Sequence, residues 1–270
     1  MKLSKTLALS SLVLGSLIGC GQATQDSSLT VSNGQDIDES EYPAVVMLYD
    51  AAKGALCTAT FVTDDTVLTA AHCTMGGEVV DKQTGKVDHS IQLVRMLDPK
   101  TRKVKVLAES VEIYRHPKWD EAFKTKQVNE YDIGTIRFPA GTAKAVAEIG
   151  DTPSRGDEIT IVGYGLNYVP RNQNDIDSSS VGVKRKGTND VSMLNGGFIY
   201  FFGNTKTTDG DGTNVNAAPG DSGGPMFNEA GQLVGVTSGG GRLLGRGVSL
   251  YIDLKSEMSK NFLNSRGLNL

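Results

Sequence analysis

Cysteine, histidine and tryptophan are all scarce: the 270 residues hold three, three and one of them. Three cysteines cannot build a disulfide-dense scaffold. Nor do two cysteines without a nearby ligand cluster make a zinc set, so no metal is expected. Positive charge is not in excess either. The formal net charge is −4, which leaves out the basic patch or stripe of a nucleic-acid-binding protein. Long hydrophobic runs are missing apart from residues 7–18, a stretch too short to span a bilayer comfortably. What is present is ordinary for a soluble globular chain, with 39% hydrophobic and 21% charged residues, and glycine is abundant at 32.

The N-terminus reads as a targeting segment. Lys2 and Lys5 precede the apolar stretch, which ends in Leu17-Ile18-Gly19-Cys20. That tetrapeptide resembles the bacterial lipobox, in which the signal is cut before a cysteine that then carries lipid. Residues 1–19 are then a lipoprotein signal peptide, Cys20 is the lipidated residue, and residues 20–30 are a small, polar tether or propeptide. Several acyl chains on Cys20 would anchor the protein stably, at about 0.8 kcal/mol per buried methylene. Residue 21 is Gly and not Asp, and the resemblance to lipoproteins then implies the outer membrane where the host has two. An ordinary secretory signal is the alternative. Either way the chain is exported, and an oxidising compartment makes a disulfide between Cys57 and Cys73 reasonable, with two buried free thiols as the other reading.

From Tyr42 onward short apolar runs alternate with turn residues. Residues 44–49, 60–62, 67–68, 91–96, 104–108, 133–138, 159–162, 198–202, 233–237 and 248–252 have the composition and length of strands. Helical periodicity enters only at residues 254–263, where Leu254, Met258 and Phe262 lie four apart. The fold class is all-β with one C-terminal helix. Residues 166–190 and 203–216 are polar and read as surface loops. Asp209-Gly210-Asp211-Gly212 invites a calcium reading but lacks the spaced ligands of an EF-hand loop, and a solvated turn is favoured.

Three segments carry chemistry. His72 stands in Leu68-Thr69-Ala70-Ala71-His72-Cys73, Asp132 in Tyr131-Asp132-Ile133-Gly134, and Ser222 in Gly220-Asp221-Ser222-Gly223-Gly224-Pro225. A serine hydroxyl is a weak nucleophile until a base takes its proton, the base needs an acid to fix its tautomer, and the resulting oxyanion needs donors. Singly, each residue could be a packed histidine, a turn acid or a tight turn. Together, in the order His, Asp, Ser, they resemble the chymotrypsin–trypsin family. His116-Pro117 and Gly163-Tyr164-Gly165 look like further landmarks of it, and His89 and His116 are poorer candidates for a base.

The resemblance covers residues 31–270 and implies two six-stranded antiparallel β-barrels with the site between them. His72 would be the base, Asp132 its partner, Ser222 the nucleophile, and the N–H groups of Gly220 and Ser222 the oxyanion hole. It implies a Cys57–Cys73 disulfide that fixes His72. The family's other common disulfides have no cysteines here, Ala218 standing where one often sits. Val31-Ser32-Asn33-Gly34 is similar to the mature N-terminus of such enzymes, whose freed amine pairs with the acid before the nucleophile, here Asp221; a plain first strand at Val31 is the alternative. Cleavage after Thr30 would also release the domain from the lipid, and Thr30 implies no trypsin-like activator.

For substrate selection, the resemblance puts Asn216 at the pocket base, Ser238 beside the substrate backbone and near Asp132, and Gly240 and Gly247 in the pocket walls. A neutral base implies neutral side chains, unless Asp209 or Asp211 reaches the pocket. The expectation is a monomeric endopeptidase acting on proteins or peptides, with no cofactor. A catalytically silent surface binding protein on the same fold is the alternative. Quality-control relatives carry an added peptide-binding domain, for which no residues are expected beyond the C-terminal helix.

Overall fold

The computed structural model describes residues 31–268 apart from residues 177 and 207–209. The signal segment, Cys20, the tether and Asp209 therefore lie outside the described residues. After β1 (Gln35–Asp36), the first half of the chain forms β2 (Val45–Asp50), β3 (Ala55–Phe61), β4 (Thr66–Thr69), β5 (Glu78–Asp81), β6 (Lys86–Asp88), β7 (Gln92–Asp98), β8 (Lys103–Glu109) and β9 (Glu112–Arg115). Helix α1 (Trp119–Thr125) and β10 (Gly134–Arg137) follow. The second half adds β11 (Glu158–Gly163), β12 (Arg185–Asp190), β13 (Met193–Asn195), β14 (Phe198–Gly203), β15 (Pro225–Asn228), β16 (Leu233–Leu243), β17 (Arg246–Asp253) and helix α2 (Glu257–Ser265).

The strands make two sheets. One has nine strands in the order β5-β6-β9-β10-β4-β3-β2-β7-β8, the other eight in the order β1-β12-β11-β15-β16-β17-β14-β13. Every named strand pair is antiparallel. The all-β class with a C-terminal helix is what the sequence predicts. The strand counts exceed six because short pieces such as β1, β5, β6 and β13 extend the edges; they are too polar or too brief to stand out in the sequence.

Alternation of side chains builds the interior. Phe61, Val67, Ile113, Ile136 and Phe138 fill one half, and Ile159, Ile161, Ile199, Phe201, Met226 and Val234 fill the other. A third cluster joins the halves, with Val45, Met47 and Leu68 meeting Val162, Tyr164, Phe227 and Phe262. Cys73 and Ile133, next to the candidate residues His72 and Asp132, belong to this third cluster.

Three readings of the sequence need correction. Residues 166–190 are not all surface loop, because β12 pairs with β11 over its whole length. Lys184 and Arg185, both buried, are satisfied there: Lys184 Nζ donates to Tyr42 O at 2.9 Å, and Arg185 Nε donates to the Asp36 carboxylate. Polar strands of this kind are silent in a hydrophobicity pattern. The terminal helix starts at Glu257 rather than Leu254, since Ser256 caps it by accepting from Ser259 N at 3.3 Å. Helix α1 was not anticipated; it is only seven residues long and is anchored by buried Trp119.

Cys57 in β3 and Cys73 are joined by a disulfide across 16 residues, with Cα atoms 6.2 Å apart. Replacing both by serine should lower unfolding stability by about 3 kcal/mol from loop closure alone. Urea denaturation of the double variant checks this; an unchanged midpoint would exclude a structural role for the bond.

Candidate active site

His72 lies in a single 3-10 turn, Ala71–Thr74, that follows β4. Its backbone N–H donates to Asp132 Oδ1 at 2.9 Å, and its ring Nδ1 lies 2.8 Å from Asp132 Oδ2. A carboxylate only accepts, so Nδ1 carries the hydrogen and Nε2 is left as an acceptor in the neutral ring. Asp132 is 1% exposed and also receives Ser238 Oγ at 2.6 Å. Burial pushes the His72 pKa down, but the charge of Asp132 and its hydrogen bond outweigh this and hold it above the ordinary 6.5. The imidazole side chain keeps 25% of its exposure, enough to meet a substrate.

Ser222 sits in the turn before β15. Thr58, the residue after Cys57, holds this turn against the first sheet. Thr58 N donates to Ser222 O at 2.8 Å and Thr58 Oγ1 to Gly220 O at 2.9 Å. Around Ser222 the N–H groups of Asp221, Gly223 and Gly224 bond to the carbonyls of Ala218, Thr237 and Asp221. Those of Gly220 and Ser222 have no protein acceptor among the described residues. Gly220 reaches this arrangement with φ of 103°, which favours glycine. Gly223 lets the turn touch the first sheet, as a Cβ there would lie 2.0 Å from Thr69 Oγ1. Ser222 and His72 line the same cleft, of about 240 Å³, together with Cys57 and Cys73. Among the described residues the one possible three-ligand metal grouping is Cys57, His72 and Cys73, whose sulfurs are tied up in the disulfide.

Asp221 is buried behind the turn. Its Oδ1 accepts from Gly165 N at 2.8 Å and its Oδ2 from Ala218 N at 2.9 Å. Burial raises its pKa to about 7, against the pull of these two amides and of Arg185. Val31 is fully buried too, packed with Val215 and Ala217 at φ of 49°, a strained value for a β-branched residue. Ser32 and Asn216 form an isolated antiparallel bridge, Ser32 N to Asn216 O at 2.9 Å.

Ser222 also lines a second cavity of about 320 Å³, together with Val169, Pro170, Ala217, Ala218, Pro219, Thr237 and Gly239–Gly241. Of the pocket residues expected from the sequence, only Gly240 is in this lining. Asn216 is fully buried behind it, its Oδ1 accepting from Ser249 Oγ and its Nδ2 without a hydrogen-bond partner among the described residues. Gly247 covers Asn216, since a Cβ there would fall 1.4 Å from Asn216 Nδ2. Ser238 faces Asp132 instead of the cavity. Asp211 points elsewhere, accepting from Asn33 Nδ2 at 3.0 Å and from Thr213. His116 is buried against Tyr131 and Phe262, where burial and Lys118 lower its pKa to about 4. His89 lies 3.0 Å from Asp50.

The family model described as Trypsin matches residues 31–259. The chain belongs to the trypsin family. It is a serine endopeptidase. A protein named Trypsin from Saccharopolyspora erythraea is 24% identical over 217 residues, spanning 78% of this chain and 86% of that protein. The solved structure of a Glu endopeptidase in complex with MPD has the same fold, with a TM-score of 0.58 at 16% identity over 88% of this chain and 98% of that one. In a trypsin-family frame, Thr58, Val169 and Pro170 carry no motif, and the sequence held no signal for them.

The buried carboxylate sets a pH dependence. An aspartate of ordinary pKa 3.8 in the unfolded chain and about 7 when folded binds a proton more tightly in the native state. Stability of the uncut protein should therefore fall as pH rises from about 4 to 7 and level off above, with a slope of up to about 1.4 kcal/mol per pH unit. Denaturation across this range with Ser222→Ala protein measures the slope, and Asp221→Asn should flatten it. An equal slope in both would show that Asp221 does not titrate there.

Proposed function

We propose that the protein cleaves peptide bonds through an acyl-enzyme on Ser222. Ser222 Oγ attacks the substrate carbonyl while His72 Nε2 takes its proton. Asp132 steadies the imidazolium through Nδ1. The carbonyl oxygen becomes an oxyanion facing the N–H groups of Gly220 and Ser222. His72 then protonates the leaving amine, and a water deprotonated by His72 releases the acyl group. The observation that carries this reading is the pair of acceptor-free N–H groups flanking a serine that shares its cleft with an Asp-oriented histidine.

The 320 Å³ cavity is the site for the side chain before the scissile bond. Its lining has no charged residue, which supports a preference for neutral, apolar side chains. The acidic residue in the name of the Glu endopeptidase has no cation to meet among these lining residues. A fluorophosphonate probe should label the wild type and leave Ser222→Ala unlabelled; failure to label the wild type would favour the silent binding protein. Asp132→Asn should lower kcat by about four orders of magnitude. The wild-type kcat/KM should climb with pH to a plateau reached above 6.5, as His72 loses its proton.

The exported enzyme is held by lipid on Cys20, at the outer membrane if there is one, and acts there as a monomer or after release. Cleavage between Thr30 and Val31 frees an ammonium that pairs with Asp221 and detaches the domain. Two features support this: Val31 is strained and buried in the same half as Asp221, and among the described residues Asp221 accepts from two amides and from no cation. N-terminal sequencing of soluble, active enzyme should read Val31 first. Active material that begins at acylated Cys20 would overturn the coupling.

A further inference from the structure

The cavity beside Ser222 is lined by Gly239, Gly240 and Gly241 of β16 and by Val169 and Pro170 of the segment after β11. Three successive glycines give a wall no side chains to brace it. No disulfide among the described residues crosses here, because Cys57 and Cys73 are paired with each other. One side chain spans the gap. Arg242, directly after the glycines in β16, donates from Nε and Nη2 to Val169 O at 2.9 and 2.5 Å. Its Nη1 donates to Thr205 Oγ1 at 3.0 Å and its Nη2 also to Thr205 O at 3.3 Å. Val169 N in turn donates to Thr205 O at 3.0 Å. The guanidinium thus fastens the strand bearing the glycines to Val169, which also lines the cavity, and to Thr205.

All the acceptors Arg242 meets here are neutral, so its fork of donors serves geometry and not charge neutralisation. A fork fixed at two carbonyls and a hydroxyl sets distance and angle together, which a single ammonium does not. We propose that Arg242 is a positioning residue that sets the width of the substrate side-chain pocket, in the place of a covalent tie. This rests on the reading of that cavity as the site for the residue before the scissile bond. Arg242 touches no reacting atom, so its loss acts on how firmly a large side chain is gripped.

The test is steady-state kinetics of Arg242→Ala on peptides with Phe, Leu or Ala before the scissile bond. KM for Phe and Leu should rise by about tenfold and for Ala by about twofold, with kcat changed by less than about twofold. Arg242→Lys should recover part of the selectivity. Thr205→Val, which removes only the hydroxyl acceptor, should move KM the same way by a smaller factor and serves if Arg242→Ala does not fold. An equal change for all three peptides, or a change in kcat alone, would overturn the latch. Wild-type enzyme that turns over but ignores the identity of this residue would instead overturn the pocket assignment.

Discussion

The constraint on which the rest depends is the buried carboxylate of Asp221. A carboxyl group out of water needs donors on both oxygens, and here they come from the backbone amides of Gly165 and Ala218. That fastens the chain entering the second sheet to the turn that bears Ser222. The neighbouring residues are chosen by this demand. A Cβ at Gly163 would lie 2.1 Å from Asp221 Oδ1, and one at Gly165 would lie 2.7 Å from its Cγ. Leu166 N donates to Pro219 O at 2.8 Å in the same contact. The backbone of Gly220, whose N–H would face the oxyanion on the proposed mechanism, is therefore held from behind by a buried carboxylate.

Thr58 supplies the complementary restraint from in front. It stands beside Cys57, so the disulfide, the histidine turn and the serine turn all meet at one place on β3. Its hydroxyl donates to Gly220 O and accepts from Tyr164 N at 3.3 Å, while its carbonyl accepts from Thr69 Oγ1 at 3.0 Å. The bonds to Gly220 and Tyr164 cross between the two halves of the chain, and the bond from Thr69 ties β3 to its neighbour β4. The relative placement of His72 and Ser222 thus follows from main-chain contacts at the seam of two sheets, and each half is rigid through its own core.

This division explains what could be read in advance. The three motif segments are local: their glycines and neighbouring apolar residues stand next to the functional group, so order and context declare them. The β-rich class and the terminal helix come from periodicity and are equally local. Arg185, Thr58 and Arg242 are different, because each derives its role from a partner at long range and none sits in a distinctive pattern. Asn216 shows a subtler limit. Counting residues back from Ser222 selects a position in the chain but does not say which layer its side chain occupies. Gly247 and the Ser249 hydroxyl enclose the Asn216 amide, and Ala217 and Thr237 present the surface in its place.

The two halves of the active site are therefore secured very differently. The histidine side has a covalent bond and a carboxylate with three donors. The serine side has a carboxylate with a pKa of about 7 and a glycine wall braced by a guanidinium. Ionising Asp221 costs free energy that its two amides and the charge of Arg185 only partly offset, and a neutral Asp221 offers its two amides weaker acceptors. On the proposed activation, an ammonium at Val31 reverses that balance, because the charged form of Asp221 then has a charged partner. The physical content of such a step is electrostatic: a buried carboxylate that two amides and Arg185 leave with a pKa of about 7 gains a positive charge in contact with it.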